Sequence, residues 1–138
     1  MSDVLTIWDS SATNPDVFLN LKEVLAVLPS RAVKSRWAVS SYLDDGEELI
    51  DVLTKERNVL EELAETGAQT SFLKLNEAAA SVDQVIWGGF SAFDGEGGDR
   101  PWCTLTAFDS TYWAVETDDQ KVRRRFERNF KDVRAISR

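Results

Sequence analysis

Gln84-Val-Ile-Trp-Gly-Gly-Phe-Ser-Ala-Phe93, then Trp102-Cys-Thr-Leu-Thr-Ala-Phe108 and Tyr112-Trp-Ala-Val-Glu116, decide the fold class. In the second run Trp102, Thr104, Thr106 and Phe108 alternate with Cys103, Leu105 and Ala107, the period of a strand. Asp109-Ser110-Thr111 punctuates it as a turn, and Tyr112–Glu116 reads as the returning strand. The first run is rich in β-branched and aromatic residues. Its Gly88-Gly89 pair predicts a bulge or a close approach by another backbone. Three consecutive strands with short links predict an antiparallel meander.

Outward from this meander, strands and helices are interspersed. Residues 3–8 and the run around Trp37 and Val39 read as strands, and Val133 to Ile136 as a last short one. Asn14-Pro15 looks like a helix start, with Val17, Leu21, Val24, Leu25 and Leu28 at helical spacing and Pro29 as a stop. Gly46 to Glu65 predicts an acidic helix with Leu49, Leu53, Leu60 and Leu63 on one stripe and Gly67 as terminator. Ser71–Leu75 reads as a strand, with Asn76 capping a short helix through Ala80. Thr117 and Gln120 fit a capping box for a helix carrying Val122, Phe126 and Phe130. The expected architecture is a single α+β domain over residues 1–138, a mainly antiparallel sheet with covering helices.

The chain of 138 residues contains no histidine and has a formal net charge of -8. Histidine is the commonest general base and metal ligand near neutral pH, so its absence argues against acid–base, nucleophilic and zinc chemistry. No nucleophile elbow, zincin motif or dinucleotide fingerprint is present. Carboxylate pairs can run glycoside hydrolysis, but 24 acids make some pair inevitable and the signal unspecific. Cys103 lies mid-strand and reads as a small buried hydrophobe. No catalytic residue, no metal and no cofactor is expected. The lone cysteine, and an amino-terminal stretch without basic or long apolar character, lead to the expectation of a cytoplasmic protein with no membrane span.

The charge is uneven. Residues 44–65 hold 9 acids and 2 bases, whereas residues 100–138 hold 6 acids and 9 bases. The acidic segment reads either as a solvated helix face or as a surface that competes for a basic groove. A second constellation sets Asp94, Glu96 and Asp99 in a glycine-rich loop beside Trp102, a residue type favoured as an interface anchor. These acids miss the EF-hand spacing. The aromatics there also fit a hairpin with core tryptophans. Arg123, Arg124, Arg125 and Arg128 follow Asp118 and Asp119 on one helix, which complements the helix dipole at both ends. With the overall charge repelling nucleic acid, no direct nucleic-acid binding is expected.

Trp37 on an early strand, the acidic segment, and a short helix lead into Gln84-Val-Ile-Trp-Gly-Gly-Phe90. Ala107-Phe-Asp-Ser-Thr-Tyr-Trp-Ala-Val-Glu-Thr117 then leads into a capped helix and a terminal strand. Over roughly residues 35–136 this layout resembles the small acidic immunity proteins of bacterial polymorphic toxin systems. The resemblance implies a cytoplasmic inhibitor of a cognate toxin domain, often a nuclease, and carries over no binding residue. Charge and aromatic content then nominate Asp44, Asp45, Glu47, Glu48 and Asp51, with Asp94, Glu96, Asp99 and Trp102, as the contact surface for a basic protein partner. The alternatives are a nucleic-acid mimic acting on a phage or host enzyme, and a homo-oligomer sealed by the tryptophans.

Overall fold

The computed structural model describes residues 4–12, 16–40, 42–44, 47–53, 59–95 and 100–136. Its sheet strands are β1 (Val4–Ile7), β2 (Arg36–Ser40), β5 (Asp51–Leu53), β6 (Thr70–Ser71), β7 (Gln84–Phe93), β8 (Cys103–Phe108), β9 (Tyr112–Thr117) and β10 (Val133–Ile136). They run in the order β10-β1-β9-β8-β7-β2-β6, with β5 also on β7, and every pairing is antiparallel. Strands β3 (Tyr42–Asp44) and β4 (Glu47–Leu49) form a separate two-stranded sheet. The helices are α1 (Leu21–Val27), α2 (Ser30–Lys34), α3 (Val59–Thr66), α4 (Phe72–Ala80) and α5 (Gln120–Asn129). The fold is α+β, and the meander β7-β8-β9 is its centre.

The alternation seen in β8 becomes two faces. Cys103, Leu105 and Ala107 are fully buried, while Thr104, Thr106 and Phe108 are half-buried on the other side. The buried side meets the helical layer in one continuous core that includes Leu25, Leu60, Leu75, Val122 and Phe126. Trp37 and Trp113 are the largest side chains sealed within it. Each indole N–H needs an acceptor in such a place. Trp37 donates to the Ala32 carbonyl of α2 at 3.0 Å and Trp113 to the Leu19 carbonyl at 2.8 Å. The two bonds tie the sheet to the chain around α1 and α2.

The β8–β9 turn places Asp109 and Ser110 at φ +48° and +54°, and the Thr111 amide donates to the Phe108 carbonyl. Two consecutive left-handed residues are what a type I′ hairpin turn demands. Gly89, rather than the pair, is closely approached, and by a side chain on β2 rather than by another backbone. A Cβ on Gly89 would lie 2.7 Å from Ser40 Oγ on β2. The bulge lies elsewhere, where β5 meets β7 between the pairs Asp51↔Trp87 and Val52↔Val85.

Several expected boundaries are corrected. The residues 47–49 and 51–53 form two strands rather than helix, and α3 keeps only the end of the expected run, stopping before Gly67 at φ +71°. Two forces override the helical stripe. The antiparallel register Asp44↔Glu47 joins β3 and β4 through a short link, as hairpins are built. In addition, β2 covers only Gly89–Phe93, so the first half of β7 has an open edge that Asp51–Leu53 completes.

Asn14 and Pro15 lie outside the described residues. Helix α1 starts later, at a capping box between Asn20 and Glu23, and Val17 falls before it. Pro29 does end that run, yet α2 follows at once. Ser71, expected in a strand reaching Leu75, closes the two-residue β6 and caps α4 by accepting from the Lys74 amide. Asn76 is inside that helix. The cap of α5 is Asp119, which accepts from the Lys121 and Val122 amides; Thr117 instead donates to the Trp102 carbonyl at 2.6 Å.

Candidate functional site

The nominated acids separate into two places. Asp44, Glu47 and Glu48 lie on the β3–β4 hairpin, and Asp51 lies on β5 opposite Trp87. Asp94 follows β7 at its far end. Seven residues separate Asp94 from Trp87, which at about 3.3 Å per residue is about 23 Å of strand. Asp45, Glu96 and Asp99 lie outside the described residues. The hairpin acids and the loop acid therefore do not form one patch.

The far end of β7 is organised by a residue that the sequence did not single out. Arg31 on α2 reaches Asp94 through Nε at 2.9 Å and Nη2 at 2.5 Å, and Asp119 through Nη1 at 2.9 Å. The Arg31 guanidinium also stacks over the Trp102 ring at 4.3 Å. Trp102 in turn donates its indole N–H to Ser35 Oγ at 2.8 Å. Bidentate pairing of this type is the strong form of an ion pair. One cation thus joins α2, the end of β7, the start of β8 and the cap of α5. Such a partner is 63 residues from Asp94 and 88 from Asp119, so no local pattern announces it.

The electrostatics follow. The Arg31 hydrogen bonds hold the Asp94 carboxyl below the usual carboxylate range. Burial pushes Asp119 upward, but Arg31 and the Lys121 and Val122 amides outweigh it and leave its value lowered. The Arg31 guanidinium is raised chiefly by its hydrogen bonds to Asp94; burial opposes this, and Asp119 adds to the rise, so the net direction is upward. Asp94 and Trp102, nominated as partner contacts, are thereby engaged within the chain.

Cys103 is fully buried, and burial pushes its thiol up to about 12. A thiol that stays protonated and sealed does not act as a nucleophile. Among the described residues no group of three acids or cysteines is placed to hold a metal ion, and no helix is long and apolar enough to cross a membrane. Trp37 and Trp113 are sealed in the core, which removes them from any tryptophan seam between copies.

On the outer sheet face Trp87, Phe108 and Tyr112 on β7, β8 and β9, with Trp8 just after β1, make a row, each half-buried. Neighbouring ring centroids are 6.2, 4.9 and 4.5 Å apart, and Arg134 stacks over Trp8. These are cross-strand contacts of the kind that stabilise a sheet. Comparison with protein-family models, with curated proteins and with solved structures gives no match to this chain.

Proposed function

We propose that this chain is a non-catalytic inhibitor of the immunity type, which captures a basic toxin domain, of nuclease type, in the cytoplasm. The observation that carries the reading is the acidic hairpin. Asp44, Glu47 and Glu48 sit on a separate two-stranded sheet, and Asp51 stands on β5, the next strand along the chain. Carboxylates gathered on one small element steer a positive partner and can replace phosphates at its groove. A chain without histidine also lacks the usual base for chemistry at neutral pH. The contact surface centres on the hairpin, since Asp94 and Trp102 are engaged by Arg31.

The test has two stages. Tagged protein is first recovered from source cells expressing the neighbouring reading frames, and a stoichiometric partner with a basic catalytic domain is the expected catch. Association of that partner with wild type and with Glu47→Lys/Glu48→Lys/Asp51→Lys is then followed by stopped flow. The triple variant associates at least about tenfold more slowly and with a weaker salt dependence. An unchanged on-rate refutes the hairpin assignment. Recovery of the chain alone, with a dimer on sedimentation, refutes the inhibitor reading and favours a homo-oligomer.

A further inference from the structure

Helix α5 carries a cationic face that the proposed function does not use. Lys121, Arg124, Arg125 and Arg128 stand at i, i+3, i+4 and i+7, which at 100° per residue gathers them within a third of the helix circumference. The buried Val122 and Phe126 occupy a different sector, and Glu127 lies on the flank between the two. The four cations, with Leu28, Pro29 and Ser30, line an open cleft of about 500 Å³. A volume in this range is that of a small-molecule site.

The arrangement is unfavourable without an anion. Lys121 with Arg125, and Arg124 with Arg128, are like-charge pairs at i,i+4, which destabilise a helix. Among the described residues no carboxylate pairs with Lys121, Arg124 or Arg128. Arg125 is held in place by a bond from its Nε to the Val27 carbonyl at the end of α1, which fixes its guanidinium at the cleft. Helix dipole complementarity explains Arg128 in the last turn, but not Lys121 in the first, where a cation is unfavourable.

We propose that this cleft binds a small anion bearing two or more phosphoryl groups. Planar guanidinium forks match phosphoryl oxygens bidentately, and arginine keeps its charge at every physiological pH. The lining supplies donors almost exclusively, so the ligand must be rich in acceptors. Lys121 to Arg128 spans about 10 Å of helix, room for more than one phosphoryl group. Leu28 and Pro29 in the lining suit an uncharged body attached to them. A long polyanion fits less well: it would extend beyond the cleft over a chain of net charge -8, whereas a small ligand senses mainly charges within a Debye length of about 8 Å.

Inorganic tripolyphosphate is the probe, titrated calorimetrically at low and moderate salt into wild type, Arg124→Gln/Arg128→Gln, and the exposed control Lys74→Gln. Wild type and control bind one equivalent and gain several degrees of thermal stability when the site is saturated. The double variant keeps its circular dichroism and, relieved of a like-charge pair, melts without ligand no lower than wild type. It binds at least about a hundredfold more weakly, with a shallower salt dependence. Absence of saturable binding by wild type below millimolar probe, or equal binding by the double variant, overturns the proposal. Affinity for single-stranded oligonucleotides that exceeds the tripolyphosphate value and grows with length also overturns it, and would make the occupant a nucleic acid.

Discussion

Replacing Arg31 by methionine removes one guanidinium while keeping an aliphatic stem over Trp102. The pair with Asp94 is largely open to water, the two side chains being 39% and 61% exposed. Solvent screening reduces it to about 0.5 kcal/mol. Asp119 is only 16% exposed, and its charged bond to Arg31 contributes about 1.5 kcal/mol. The cation over Trp102 adds about 0.5 kcal/mol. These contributions share one side chain, so about 2.5 kcal/mol is their ceiling. For a chain of this length that corresponds to a fall in Tm of roughly 10 °C.

The pH dependence distinguishes charge from packing. Asp94 and Asp119 have folded values below their unfolded value of about 3.9. Their stabilisation is therefore present above that value and is lost as pH falls through the lowered folded values. In Arg31→Met the pull of the guanidinium is gone. The backbone bonds that also lower Asp119 persist in both proteins and cancel in the difference. Urea unfolding of the two proteins from pH 7 to pH 2.5 should show the gap widest at neutral pH and closing below about pH 4. A gap that stays constant across this range, or one under about 0.5 kcal/mol at pH 7, refutes the ion-pair account of this junction.

Three further outcomes follow from the core and the turns. Phe126→Ala deletes a fully buried ring of α5 and should cost about 3–5 kcal/mol by urea unfolding, with loss of near-ultraviolet dichroism. Ser110→Gly removes the strain of a left-handed residue at φ +54° and, after the added chain entropy, should raise stability by about 0.5 kcal/mol; a loss of that size would contradict the turn geometry. Cys103 should resist a thiol reagent at pH 8 and react only at the rate of unfolding, because burial both hides it and pushes its thiol up to about 12; fast labelling of the native protein would contradict its place in the core.

The meander was legible because its determinants are local. Cys103–Phe108 alternates strictly, and two punctuating segments separate three apolar runs. Capping was legible in kind but misplaced by a few residues. Thr117 and Asp119 both lie at the start of α5, and only the geometry shows that Asp119 makes the cap while Thr117 serves Trp102. The segment 47–53 was misread because its leucine spacing suits a helix, whereas the deciding partner is the open edge of β7 more than thirty residues away. The same reason hides Arg31: its partners lie on other elements and meet it only when the chain is folded. The α5 cations also fit the helix dipole, which hides their common face. Their i, i+3, i+4, i+7 spacing was the available signal for a common face.

Net charge is the right quantity for long-range steering and the wrong one for a site. The value of -8 describes the field felt by a distant partner. At close range the fold partitions it. The acidic hairpin adjoins the β7 region of the sheet, whereas α5 packs on β9 and α1. From β7 to β9 is two strand positions, about 10 Å in the plane of the sheet, already more than a Debye length at physiological salt. A ligand in the α5 cleft is therefore governed by Lys121, Arg124, Arg125 and Arg128, and a protein docked on the hairpin by Asp44, Glu47, Glu48 and Asp51. Surfaces of opposite sign can coexist on one small domain because salt screens each from the other. Lowering ionic strength should couple them: filling the cleft with a polyphosphate would then deepen the negative field and speed the encounter of the hairpin with a basic partner.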